Sequence, residues 1–291
     1  MNAPKLRSAL PLVLALSTGG CATIHSVLPF TKSEDTPKVN LADEPPDLLY
    51  TNGIDALEKR NYSIAVKHFD AIQQNYPYSS WATNAQLMDG YTEYRRSSYT
   101  EAVSQLDRFI ALHPASKDVS YAYYLRALCY YEQIADISRD QKGTQEAMGA
   151  LQEVVNRFPD SAYGRDARLK IDLCRDHLAG KEMLIGRYYE KQHFYAAAIG
   201  RYQRVVDDFQ TTNHTAEALQ RLTEIYLKLG MVGEAKKTAA VLAYNYPGNH
   251  WYQTSYNELA TVNAVPPADT AASGPAPGRP GFFSRAFGWV F

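Results

Sequence analysis

Between residues 46 and 260 the chain repeats one hydrophobic pattern. Tyr62, Ala65, Phe69 and Ile72 stand three or four residues apart, which puts them on one face of a helix. Ala65 is small enough to admit a neighbouring helix, and Phe69 fills the space beside it one turn on. Pro77, which cannot continue the helix, stops it. The pattern returns as Tyr99, Ala102, Leu106 and Phe109 before Pro114, and as Ala147, Leu151 and Val154 before Pro159. It returns again as Tyr195, Ala198, Tyr202 and Val205 before Gln210, where the proline is missing, and as Ala235, Ala239 and Leu242 before Pro247. One helix type used five times predicts a repeat protein.

Each of these helices follows a first helix. Leu49 and Gly53 mark it in the first unit, Gly90 in the second, Gly186 and Tyr189 in the fourth, and Leu219, Leu222 and Tyr226 in the fifth. A helix–turn–helix unit with a small residue early, alanine in its second helix and proline at its end is the tetratricopeptide pattern. The predicted fold is all-α, a helix-turn-helix (tetratricopeptide) superhelical solenoid of about five repeats with a concave groove. Repeat three is longer than the others, and its extra residues fall in a polar turn over Ala135–Thr144. Repeat four begins late, which predicts a long first helix from about Ala162 to Lys191. Residues 249–260 read as a short helix covering the last repeat.

The ends have other compositions. Residues 1–20 read as a signal peptide: Lys5 and Arg7 precede an apolar run, Ala9 to Leu16, far shorter than the ~20 residues that span a bilayer. Ser17-Thr-Gly-Gly-Cys21 follows, and small residues before a cysteine resemble the lipobox of bacterial lipoproteins, with Thr18 where leucine is usual. Cys21 is thus the expected lipidation site, and a covalent lipid there anchors the protein. Ala22 in place of aspartate points to the outer membrane rather than the inner. Residues 21–45 are a lipidated tether, polar and proline-rich; residues 46–260 are the repeat domain. Residues 261–281 are a Pro/Gly/Ala linker, and 282–291 an aromatic C-terminal tail expected to dock somewhere.

Of the 291 residues, 45% are hydrophobic and 22 are tyrosine, a side chain with an apolar body and a polar tip that suits peptide-binding surfaces. Tyr91, Tyr94, Tyr121 and Tyr124 are expected to include residues that line the groove and stack on an extended strand. With a net charge of −1 and no basic stripe, nucleic acid is excluded as a partner. Cys129 and Cys174 sit in apolar helical patterns and read as two buried thiols rather than a disulfide. No nucleophile motif, zinc motif or phosphate loop occurs, and the seven histidines are scattered. The expectation is a binding protein, not an enzyme, with no metal and no cofactor beyond the lipid on Cys21.

Asp107–Pro114, Tyr121–Leu128, Arg157–Tyr163 and Gly186–Tyr189 through Tyr195–Tyr202 resemble the BamD (ComL) family, lipoproteins of the outer-membrane β-barrel assembly machinery. The resemblance runs from Cys21 to about Pro247. It implies a non-enzymatic scaffold, lipid-anchored on the periplasmic face of the outer membrane, that promotes folding and insertion of barrel proteins. The first repeats would receive the C-terminal strand of unfolded outer-membrane proteins. The last repeats would hold the barrel-forming subunit, beside accessory lipoproteins. Arg201 matches a family arginine at that contact, with Gly200 before it where asparagine is usual. The alternative is a periplasmic tetratricopeptide adaptor for cell-wall enzymes. In the tail, the alternation of Phe287, Trp289 and Phe291 resembles the strand signal this family is held to read. Phe283, Phe287 and Phe291 also share a helical face, so an interfacial membrane helix stays open.

Overall fold

The computed structural model describes residue 41 and residues 43–262, all within one compact unit. Cys21, most of the tether, the linker and the aromatic tail lie outside the described residues. Eleven helices follow in order: α1 (Pro46–Glu58), α2 (Tyr62–Asn75), α3 (Ser80–Arg95), α4 (Tyr99–Leu112), α5 (Val119–Tyr131) and α6 (Lys142–Arg157), then α7 (Ala162–Lys191), α8 (Tyr195–Asp208), α9 (His214–Lys228), α10 (Val232–Asn245) and α11 (His250–Thr261). They make five helix pairs and a closing helix. The long helix expected over Ala162–Lys191 is α7, with 30 residues. The expected polar turn in repeat three covers residues 132–141; Lys142, Gly143 and Thr144 already belong to the first turn of α6.

The pattern that predicts the second helices is their core face. Ala65, Phe69 and Ile72, then Ala102, Leu106 and Phe109, Ala147, Leu151 and Val154, Ala198, Tyr202 and Val205, and Ala235, Ala239 and Leu242 are all buried. Glycines in the first helices let these residues approach. A Cβ on Gly53 would meet the Phe69 ring at 2.7 Å, and one on Gly186 would meet the Tyr202 ring at 2.5 Å. Helix pairing here is set by a missing side chain opposite a large one.

The turns inside repeats one, two, four and five share one geometry. A residue with positive φ ends the first helix: Arg60 (61°), Ser97 (65°), His193 (61°) and Gly230 (74°). The next N–H then donates back into that helix, Asn61 to the Ala56 carbonyl (2.8 Å), Ser98 to Glu93 (2.9 Å), Phe194 to Tyr189 (2.9 Å) and Met231 to Tyr226 (2.8 Å). The turns between repeats are equally uniform. Tyr76, His113, Phe158 and Tyr246 stand before a proline with φ near −130° and ψ near 50°. Phe209 precedes Gln210 and still adopts φ −126° and ψ 37°, with the Thr212 hydroxyl donating to its carbonyl at 2.8 Å. The turn therefore forms without its proline. Ser79 and Ser161 cap α3 and α7 by accepting from the Ala82 and Gly164 N–H groups.

Successive first helices, α1, α3, α5, α7, α9 and finally α11, touch one another, whereas the second helices touch none of their kind. The first helices thus form the tighter, inner layer of the curved stack. The core divides into four groups along the chain, around α1–α3, α3–α5, α5–α7 and α7–α11. Helix α7 serves two of them: Ala167, Ile171 and Cys174 pack in the third group, Ala179 and Met183 in the fourth. The repeat-three turn braces the middle of α7, where His177 Nε2–H donates to the Ala135 carbonyl (2.8 Å) and Lys181 Nζ to Ser138 (2.9 Å). Cys129 and Cys174 are buried free thiols. No helix among the described residues is long and apolar enough to cross a membrane.

Candidate functional site

The inner layer carries a cluster of tyrosines. Tyr91 and Tyr94 come from α3, Tyr121 and Tyr124 from α5; all four are half-buried. Tyr163, at the start of α7, joins them: its ring stacks on Tyr124 at 5.3 Å and meets Tyr121 at 5.5 Å. Three of the five hydroxyls are tied down. Tyr91 OH accepts from Arg95 Nη1 at 2.7 Å, Tyr94 OH donates to Glu132 at 3.4 Å, and Tyr124 OH donates to Asp166 Oδ2. Burial, reinforced by Glu132, pushes the Tyr94 phenol up to about 12, and burial raises Tyr121 and Tyr124 further. These phenols stay neutral. With three tips held in hydrogen bonds, ring faces and edges are what the cluster presents, which suits stacking against apolar or aromatic side chains. The four tyrosines expected from the sequence are brought together across α3 and α5. Tyr163 was missed because it lies at a helix start, outside the repeating face.

Repeats one and two hold an acidic centre that pattern reading did not reveal. Asp89, on α3, is 1% exposed, and neither carboxylate oxygen has a hydrogen-bond partner. Burial pushes its carboxyl up to about 7, with Asp70 and Glu93 adding to the shift. The Gln73 amide and the Arg96 guanidinium oppose the shift without closing a hydrogen bond of normal geometry. Helix α3 places Gln86, Asp89, Thr92 and Glu93 at buried positions, whereas α1 and α5 bury apolar residues and glycine.

Arg201 lies apart from both, on α8 in repeat four. Its Nη1 donates to Glu182 Oε2 at 3.0 Å, and Arg204 holds the other oxygen at 3.1 Å. Glu182 is 13% exposed and Arg201 34%, so the guanidinium has one edge anchored to α7 and the other toward solvent. Further along, Arg187 binds Glu217 at 2.9 Å, and Arg221 lies within 4 Å of Glu190, Glu217 and Glu224. Repeats four and five are stitched by charge along α7, α8 and α9, whereas the phenols line α3, α5 and the start of α7. Among the described residues no group of three or more His, Cys, Asp or Glu side chains is placed to hold a metal ion.

Residues 42–242 match the YfiO family, described as outer membrane lipoprotein. The chain belongs to this family. The YfiO match begins just before α1 and reaches into α10, so it takes in the tyrosine cluster, the acidic centre and Arg201. Among curated relatives, the outer membrane protein assembly factor BamD of Caulobacter vibrioides is 44% identical over 88% of this chain and 81% of that protein. The protein of the same name from Rickettsia prowazekii is 44% identical over 88% of this chain and 97% of its own length. A solved structure of the TPR2AB domain of yeast Sti1 aligns with a TM-score of 0.41 and 14% identity, over 75% of this chain and 84% of that one. Membership of the YfiO family associates the protein with the outer membrane.

Proposed function

We propose that the protein is a non-enzymatic subunit of the machinery that assembles β-barrels in the outer membrane. It stands on the periplasmic face, held there by acyl chains on Cys21. The extended, aromatic-rich strand of an unfolded barrel protein lies along the inner layer of repeats one to three. The barrel-forming subunit binds repeats four and five, where the free edge of Arg201 takes a carboxylate. The observation that carries this reading is the likeness to assembly factors over nearly the whole folded region. The tyrosine cluster supports the location of the strand site. Its rings sit on three successive inner helices, α3, α5 and α7, and the held hydroxyls of Tyr91, Tyr94 and Tyr124 leave ring surface for a ligand that contributes apolar side chains on alternate positions.

The test is capture from living cells. A photo-crosslinker at Tyr91 should trap outer-membrane barrel proteins during their synthesis, and affinity purification of the whole protein should recover the barrel-forming subunit. Recovery of wall synthases or hydrolases in its place would reject the proposal. Fatty-acid labelling that is present in the natural chain and lost in Cys21→Ala tests the anchor separately.

A further inference from the structure

The turn shared by repeats one, two, four and five sets up a comparison within the molecule. At the residue after the positive-φ position, repeats one and two carry Asn61 and Ser98, and neither side chain makes a capping hydrogen bond. Repeats four and five carry Phe194 and Met231 in the same backbone geometry. The turn itself therefore asks for no apolar residue. Yet Phe194 is 61% exposed and Met231 42%, and they are joined by exposed Leu229 and Val232. None of the four belongs to the core group of these repeats or packs against it. The two turns adjoin: Lys228 lies 3.8 Å from Glu190 and shares a cleft with His193 and Tyr195. The result is a small exposed apolar ridge made of turn tips.

Its surroundings carry lysine and arginine, part of that charge neutralised within the fold: Lys228 is held by Glu224 (2.7 Å) and Glu190 (3.8 Å), and Arg96 by Glu93 (2.8 Å). The four turns, residues 59–61, 95–98, 191–194 and 228–232, contain no carboxylate and hold Lys59, Arg60, Arg95, Arg96, Lys191 and Lys228. Lys59, Arg60 and Lys191 are exposed and have no ion pair among the described residues. Only the turn of repeat three, with Glu132, Asp136 and Asp140, interrupts this edge. Apolar tips flanked by lysine and arginine match a lipid surface: the tips enter the headgroup region while the cations meet anionic headgroups.

We propose that this edge of the folded domain, with Phe194, Leu229, Met231 and Val232 as its inserting tips, lies directly against an anionic phospholipid bilayer. The contact is separate from the acyl anchor proposed above and orients the solenoid by fixing repeats four and five to the membrane face. The experiment removes the anchor and keeps the rest of the chain. Full-length protein carrying Cys21→Ser is floated with vesicles of phosphatidylethanolamine and phosphatidylglycerol, and with vesicles of phosphatidylcholine alone. Binding is expected to the first, weakened by salt, and to be much weaker to the second. The double variant Phe194→Ser/Met231→Asn should lose roughly tenfold or more in vesicle affinity. Its melting temperature should not fall, because Ser98 and Asn61 already build this turn. Equal flotation of variant and parent overturns the proposal and assigns membrane binding to another segment, such as the tail. No flotation of the parent overturns it as well. So does unchanged flotation with loss of the barrel-forming subunit, which would make the ridge a protein contact.

Discussion

Replacing Asp89 by asparagine should stabilise the protein by an amount that grows as pH rises from about 4 to about 7 and is full above that. The buried carboxyl titrates at about 7 in the folded chain against an ordinary 3.8. Because the folded pKa lies above the unfolded one, the folded state holds a proton that the unfolded state has released over the interval between the two values. Stability therefore falls as pH rises from about 4 to about 7 and is lowest above that. A shift of roughly three pH units corresponds to about 4 kcal/mol at 1.36 kcal/mol per unit. Asparagine has the shape of the protonated acid and no charge to bury, so it escapes the loss. Thermal melts of both proteins at pH 4.5, 6 and 8 should lie within about 2–4 °C of each other at the lowest pH. They should separate by on the order of 10 °C at the highest, with asparagine the more stable. Taking the difference between variant and parent cancels most of the titration of other groups. Asp70 and Glu93 are the neighbours that would shift with the substitution. A variant that melts lower than the parent at pH 8, or a gap that does not change with pH, would refute the account of Asp89 as a buried, unpaired acid.

Other substitutions test the packing and the charge stitching. Gly186→Ala drives a methyl group into the Tyr202 ring, whose hydroxyl is fixed to Glu190 at 2.7 Å, and should cost about 1–3 kcal/mol in urea denaturation. Arg126 joins Asp107 of α4 (2.7 Å) to Glu153 of α6 and lies 5.0 Å from the centre of the Tyr123 ring; Arg126→Met leaves Asp107 without this partner and Glu153 with Arg157 alone, and should lower stability by about 1–3 kcal/mol. For Arg201, two variants separate the roles: Arg201→Met should reduce recovery of the barrel-forming subunit, while Glu182→Gln, which frees the guanidinium, should not. Equal loss in both would make the ion pair a structural brace alone.

The repeat fold was legible because its signal is local. Alanine, a large residue one turn on and a proline recur at fixed spacing, and every one of those core positions is buried. The late start of repeat four was enough to foresee α7, since no other element fits a long periodic stretch without a break. The turn at Gln210 shows the limit of reading proline as necessary: the tyrosine, threonine and backbone contacts around Phe209 hold the same geometry without it. The site was half legible. Tyrosines on α3 and α5 are visible as a compositional excess on first helices, but their union with Tyr163 depends on how α7 crosses α5. Glu182 as partner of Arg201, and the burial of Asp89, depend on rotation of whole helices about their axes, which spacing along one chain leaves undetermined. Residues at the turn tips look alike in sequence whether polar or apolar; only equal backbone geometry makes Phe194 and Met231 stand out against Asn61 and Ser98.

The division of the core into four groups, each sharing a helix with the next, has a kinetic meaning. Every helix contacts only its neighbours one or two places along the chain, so no loop must close over a long distance before contacts reward it. A chain that emerges amino-terminus first, from a ribosome or through a membrane, completes its first core group once α3 has appeared and can fold from there in order. Helix α7 is where that progress meets a step. Its residues up to Cys174 finish the third group, but those from Ala179 onward gain no core partner until α8 arrives. Between those moments half of a 30-residue helix stands without the rest of its packing, and that interval is when an incompletely emerged chain is most open to proteolysis.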